Sequence, residues 1–407
     1  MHIVALTHLF SPARGGTEIA LKEWAKILVK KGHRVSVVTS NQTALEDFQH
    51  PRRNPELAAR EEREGIDIIR LPLGGTQRLA LAKTGALALR SRIKGGERLW
   101  LKTQVPHLPG MIRTAEKLRP DLLYAVPFPT ATCFYASAAA RRIGCPWVLQ
   151  PHLHFRDINF SLQKILRWIG PQATAVFTNT QIEKKFLINH GLEAGKIQVT
   201  GQGIDLSLLS KHRGDGSKVR NRYGLSQRKV LLFLGRKVEN KGLDILFQSM
   251  PLIWQESPET ALILAGQSSP YFQALYQDHP LQSDPRIISI DDFPEEEKTD
   301  LLTACDLLVL PSQTESFGVV FLEAWAEGKP VLGARIPAVE EMIDDGEDGI
   351  LVPYGDPAGL ASAAKTLLNN PELCRAMGEK GKRKVEERFE INRVSERIET
   401  LFLSLLQ

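Results

Sequence analysis

Two carboxylates, Glu315 and Glu323, bracket the stretch Glu315-Ser316-Phe317-Gly318-Val319-Val320-Phe321-Leu322-Glu323, and two cations, Arg236 and Lys241, share the stretch Gly235-Arg236-Lys237-Val238-Glu239-Asn240-Lys241-Gly242. Carboxylates accept hydrogen bonds from sugar-type hydroxyls. Cations neutralise phosphates, each charged hydrogen bond contributing about 1.5–3 kcal/mol. Both stretches lie where an apolar strand gives way to a helix. Leu307 to Leu310, closed by Pro311-Ser312, reads as a buried parallel strand, and the apolar spacing from Phe317 to Glu327 is helical up to Gly328. A helix start presents free N–H groups and the positive end of its dipole, so it favours anions, and Gly318 lets one approach the backbone. Taken singly, each pair is equally compatible with solvated surface charge.

The elements that must position these residues fall into two series. Ile3 to Thr7, a turn through Gly15-Gly16, a helix ending near Lys31-Gly32, and Arg34 to Ser40 form a βαβ unit without a full GxGxxG pattern. Gly15 and Gly16 suit either a tight turn or a loop whose amides face a phosphate. Residues 41–65 read as a variable polar loop region. Strands are expected at Ile66 to Leu71, Leu122 to Val126, Trp147 to Gln150 and Ala175 to Thr178, with a helix around Ala131 to Ile143. The strand before Pro151 empties into His152-Leu153-His154. In extended chain these histidines share a side, but no third ligand accompanies them, so a metal is not expected, and each suits substrate contact or a structural hydrogen bond equally well. After Gly203-Ile204-Asp205 the composition turns polar and basic, and the second series begins at Lys229 to Leu234. Its further strands are expected at Ala261 to Ala265, Arg286 to Ile290, Pro330 to Ala334 and Gly349 to Val352, with a long amphipathic helix from about Val385. The expected organisation is therefore 1–205, 206–384 and a closing helix 385–407. The fold class is α/β, with two doubly wound Rossmann-like domains facing across a cleft.

With 407 residues the chain is long enough for more than one core, and 43% hydrophobic and 24% charged residues describe a globular protein. A formal charge of +5 does not argue for nucleic acid as a partner. Four scattered cysteines without CxxC spacing fit reduced thiols in a cytoplasmic protein, and no apolar window is long enough to span a membrane. Residues 77–102 carry Arg78, Lys83, Arg90, Arg92, Lys94, Arg98 and Lys102 against the single acid Glu97. Such a segment suits peripheral contact with an anionic membrane surface, an anionic acceptor, or a solvated helix pair.

Together the two pairs amount to the equipment for a nucleotide-sugar: cations and amides for a diphosphate, carboxylates for hydroxyls. No D-x-D occurs in the chain, so no metal or other cofactor is expected, the fixed cations and helix dipole doing that electrostatic work. Glu315 to Glu323 resembles the E-x7-E signature of the retaining glycosyltransferases of family 4, which have the GT-B fold. Gly15-Gly16, His152 after Pro151, Gly203-Ile204-Asp205, Arg236…Lys241-Gly242 and Val339-Glu340…Asp345-Gly346 all fall in family order.

The resemblance implies an acceptor-binding first domain, a donor-binding second domain, and a final helix crossing back to the first. It further implies that Arg236 and Lys241 hold the leaving diphosphate. Glu315, Phe317 and Gly318 would contact the transferred sugar, Val319 the phosphates and Glu323 the ribose, while Gly15 and Gly16 would border the donor. His152, or alternatively His154, would be the active-site histidine. Gln202 stands where many members have Asn, and Asp291 replaces a usual glycine near the base pocket, leaving base preference open. The activity so implied is retaining, metal-independent transfer of a hexose to a glycan or lipid-linked acceptor, in cell-envelope or exopolysaccharide assembly at the inner face of the membrane. A nucleotide-sugar epimerase of similar architecture and a non-catalytic nucleotide-sugar-binding scaffold are the alternatives.

Overall fold

The computed structural model describes residues 1–13, 15–48, 54, 56–74, 96, 106–108, 110–154, 160–207, 214–277 and 279–407. The basic segment 77–102, for which membrane contact was one expectation, lies outside these apart from residue 96. The chain divides into two compact units, Met1–Gln202 with Ile391–Gln407, and Gly203–Glu390.

Among the described residues the first unit holds β1 (His2–Thr7), β2 (Arg34–Ser40), β3 (Arg60–Arg63), β4 (Ile66–Leu71), β5 (Leu122–Val126), β6 (Trp147–Leu149), β7 (Ala175–Thr178) and β8 (Ile197–Val199). They lie in the order β3-β4-β2-β1-β5-β6-β7-β8, all parallel except β3, which pairs antiparallel with β4 inside the stretch expected to be loop. Strand residues alternate between two cores, as a pleat with period two requires. Val4, Leu6, Leu123 and Ala125 enter one apolar cluster; Ile3, Ala5, Leu122 and Tyr124 enter the other. The second cluster is completed from the far end of the sequence. The amphipathic helix Ile391–Ser404 contributes Ile391, Val394, Ile398 and Phe402, packing beside the helix Gly16–Lys30. Its start is later than the expected 385 because a π-helical turn, Val385–Phe389, separates it from the helix Pro371–Lys384.

The second unit holds β9 (Val230–Leu234), β10 (Ala261–Ala265), β11 (Ile287–Ile290), β12 (Leu307–Leu310), β13 (Val331–Arg335) and β14 (Gly349–Pro353). All are parallel, in the order β11-β10-β9-β12-β13-β14. β9, β10 and β12 are buried along their whole length, which is why they read as unbroken apolar runs. Strand order reverses between β9 and β12. In a doubly wound sheet such a switch, beyond the carboxyl ends of its strands, is where ligands gather.

Candidate functional site

The carboxyl ends of β9 and β12 carry the two charged stretches that the sequence singles out. Two contacts tie their loops together. The Gln313 N–H donates to the Asn240 carbonyl at 2.9 Å, and Gly242 (φ 68°) presses so closely on Pro311 that an added Cβ would sit 2.1 Å from the Pro311 oxygen. Only a residue without Cβ fits that conformation and that approach. The consequence is that Lys241 and Glu315, distant in sequence, meet: the Lys241 Nζ donates to Glu315 Oε1 at 2.5 Å. The carboxylate is buried, its side chain 8% exposed, against 18% for the lysine. Arg236 differs. It is exposed, and its side chain forms no hydrogen bond or ion pair with the described residues.

The helix after β12 starts two residues later than its apolar spacing suggests, at Val319. Gly318, at φ 95°, is left-handed and therefore sits outside the helix as its N-cap. Phe317 is buried and packs edge-on against Phe389 at 5.8 Å. The Phe321 N–H bonds the Gly318 carbonyl at 3.0 Å, leaving the earlier first-turn N–H groups without an intrahelical acceptor. Such groups bind anions. Glu323, on this helix, receives the Lys298 Nζ at 2.5 Å. Lys298 lies on the helix Glu295–Ala304 that follows β11. Nothing in the Glu-rich run before Lys298 marks it as a site residue in the sequence.

A third polar group closes the ends of β10 and β11. Lys237, with no exposed surface, donates to Asp291 Oδ1 at 2.5 Å and to the Ser289 hydroxyl at 2.7 Å. Ser268 donates to the same Asp291 oxygen at 2.7 Å. Burial pulls the Lys237 pKa down, with the carboxylate partly opposing it. Burial alone would raise Asp291, yet the hydrogen bonds from Lys237 and Ser268 outweigh it and hold the carboxyl below its usual range. In the sequence Lys237 is merely one more basic residue beside Arg236. Its burial shows only in the fold.

In the first unit His152 follows β6 but its backbone is left-handed (φ 54°), so the chain is not extended there, contrary to the sequence expectation. His152 is buried, and burial holds its pKa down at about 3, so the ring is neutral at physiological pH. Its Nδ1 meets Gln202 Nε2 at 3.3 Å. The loop is fixed by Glu183, whose carboxylate accepts the Leu153 N–H at 2.9 Å and the Asn179 N–H at 2.7 Å. Gly15 caps the helix Gly16–Lys30, and a Cβ there would lie 2.0 Å from Glu18 Oε2, because that carboxylate folds back over the cap. Gly16 opens the helix with free space around it. Among the described residues no group of three or more His, Cys, Asp or Glu side chains is arranged to hold a metal ion.

A doubly wound unit with cations, a free helix start and carboxylates at its switch point is built to hold an anionic, hydroxyl-bearing ligand. Comparison with known proteins gives the family. Residues 217–384 match the glycosyl transferases group 1 and residues 15–203 the glycosyl transferase 4-like domain. N-acetyl-alpha-D-glucosaminyl L-malate synthase of Bacillus anthracis is 30% identical over 73% of this chain and 78% of its own. The GDP-mannose-dependent alpha-(1-6)-phosphatidylinositol monomannoside mannosyltransferase of Mycolicibacterium smegmatis is 27% identical over 93% and 92%. Among solved structures, the Anabaena protein HepE in complex with UDP and glucose superposes with a TM-score of 0.77 at 21% identity, covering 99% of this chain and 100% of that one. Sucrose-phosphate synthase of Thermosynechococcus elongatus gives 0.78 at 19%, covering 100% and 99%. The chain belongs to family 4 of the glycosyltransferases, with the GT-B fold, and is a glycosyltransferase using a nucleotide-sugar donor. No helix among the described residues is long and apolar enough to cross a membrane.

Proposed function

We propose that this protein is a retaining, metal-independent hexosyltransferase that acts on a glycan or lipid-linked acceptor in cell-envelope or exopolysaccharide assembly. The observation that carries the reading is the junction of β9 and β12, where Lys241 and Glu315 are already joined close in sequence to Arg236, which pairs with none of the described residues, and to an open helix start. On this reading the donor diphosphate draws Lys241 and Arg236 to itself. Glu315 then turns to the hydroxyls of the transferred sugar, with the Phe317 and Gly318 amides beside it. Val319 faces the phosphates, Glu323 holds the ribose, and Gly15-Gly16 borders the donor. His152, neutral and positioned by Gln202, contacts the sugar, with His154 as its alternative. The anomeric C–O bond to phosphate breaks and the acceptor oxygen bonds that carbon on the same face, its proton passing to the departing phosphate oxygen. The curated relatives support an envelope setting: one is described as acting on a phosphatidylinositol monomannoside. We place the protein in the cytoplasm, at the inner face of the membrane, with residues 77–102 as the segment that meets anionic lipid.

Arg236→Ala is the direct test, because the side chain forms no hydrogen bond or ion pair with the described residues. Turnover is expected to fall at least tenfold, a loss of about 1.4 kcal/mol of transition-state stabilisation, with unfolding unchanged. An unaltered rate would sink the diphosphate assignment. Activity is expected to survive chelators. A donor-only NMR time course separates transfer from epimerisation, since an epimerase interconverts donors without an acceptor. A non-catalytic scaffold would bind donor yet show neither transfer nor slow hydrolysis.

A further inference from the structure

We propose that Glu183 is a positioning residue for the reaction: it holds the His152 loop in its left-handed turn, and turnover depends on it through the histidine. The inference deepens the reading of His152 given above and rests on it. Glu183 lies in the first turn of the helix Gln181–Asn189, which follows β7 and is capped by Thr180. The Thr180 hydroxyl accepts the Glu183 N–H at 3.0 Å, which is one half of a capping box. The glutamate carboxylate reaches beyond the cap. Its Oε2 accepts the N–H of Asn179, the residue before the cap, at 2.7 Å, and its Oε1 accepts the N–H of Leu153, in the loop after β6, at 2.9 Å.

The second of these contacts has no part in the helix. Thr180 already caps it, yet a buried carboxylate is spent on a loop that enters from another strand. That loop carries an unfavourable backbone. His152 has a Cβ, and its φ of 54° is a conformation that persists only where the surroundings fix it. The fixing is found on both sides of the residue. Ahead of it the Phe128 N–H donates to the Pro151 carbonyl at 3.0 Å, and behind it Glu183 takes the Leu153 N–H. Gln202 orients the ring between them. Glu183 is 1% exposed and Leu153 2%, so water does not replace the bond if it is lost. A carboxylate offers two acceptors, whereas an amide in its place offers one acceptor and a donor group, and one of the two backbone N–H groups would then face another donor.

Nucleotide release from UDP-glucose, GDP-mannose and UDP-N-acetylglucosamine by the full chain, without acceptor, tests the proposal. On the donor that the wild type turns over, Glu183→Gln is expected to lose at least about tenfold in kcat while the donor KM moves less than about threefold. In a His152→Ala background the same change should cost less than about twofold further, because the histidine through which it acts is gone. Thr180→Ala loosens the same helix start but leaves the carboxylate, and should keep kcat within about twofold. Glu183→Asp retains the charge at the helix start but is a methylene too short to span both loops. It serves where the amide variant does not fold, with an expected loss of at least about threefold in kcat. Full kcat in Glu183→Gln or Glu183→Asp, a loss that multiplies with that of His152→Ala, or an equal loss in Thr180→Ala overturns the inference. If His152→Ala keeps full kcat while Arg236→Ala abolishes turnover, the nucleotide-sugar reading stands and the histidine's role falls, taking this inference with it; if the wild type releases nucleotide from none of the three donors, both fall.

Discussion

The Lys241–Glu315 pair makes a quantitative expectation possible. Its short contact and the low exposure of the carboxylate mean that Lys241→Met leaves a buried charge without its partner, while Glu315→Gln leaves an ammonium that can still reach solvent. Losing one member of a fully buried pair costs about 3–5 kcal/mol; with 18% of the lysine side chain exposed, about 2–4 kcal/mol is expected for Lys241→Met and about 1–2 kcal/mol for Glu315→Gln. The double variant has two neutral side chains of similar size, so it should not suffer both losses. A coupling of about 2 kcal/mol is expected, read as urea midpoints of the second unit at constant slope. Additivity within about 0.5 kcal/mol would mean that the two groups are independent and that the loop contacts alone shape the site. Lys241→Met is expected to lose at least tenfold in kcat/KM, about 1.4 kcal/mol, as Arg236→Ala does, but with a stability loss that Arg236→Ala lacks.

Gly242→Ala is expected to cost more than Gly346→Ala. Both backbones are left-handed, worth about 1–2 kcal/mol against an L residue, but only at 242 does the new methyl strike a carbonyl, that of Pro311. Equal losses in thermal melts would refute that packing argument. Phe402→Ala should destabilise the first unit by about 3–5 kcal/mol, since the ring is wholly buried and lies 5.5 Å from Phe177, 5.9 Å from Trp24 and 6.0 Å from Tyr124; urea unfolding followed by fluorescence would register it. Burial holds His8 at about 4 and His152 at about 3 in the folded protein, below the ordinary 6.5. The unfolded chain thus binds more protons below pH 6.5, and stability is full above that value and falls on acidification. At pH 5 each histidine subtracts about 2 kcal/mol. His8→Gln and His152→Gln should each flatten the pH dependence of the unfolding midpoint between 5 and 7, and an unchanged slope in both would count against neutral burial.

The sequence by itself determined the α/β class, most strand positions and the types of the site residues. Strands buried on both faces are apolar throughout, so Ala261–Ala265 and Leu307–Leu310 stand out as unbroken runs, while Arg34–Ser40 and Ile66–Leu71 are legible from their β-branched residues between helical periods; all four observed bounds agree with the sequence reading. Strand β3 was illegible because Arg60 to Arg63 is an edge strand with a mostly exposed, charged face that resembles loop. Helix starts were legible only to a couple of residues: apolar period cannot show that Gly318 is left-handed. Strand order is a different kind of information. It arises from long-range pairing, to which no local pattern is tied, and only the tertiary structure set β9 beside β12. That neighbourhood joins Lys241 to Glu315, as the ends of β10 and β11 join Ser268 to Asp291 and bring in the buried Lys237. A residue's type says what charge it can bring; which opposite charge it meets is decided by the fold, because burial and distance are properties of the packed chain.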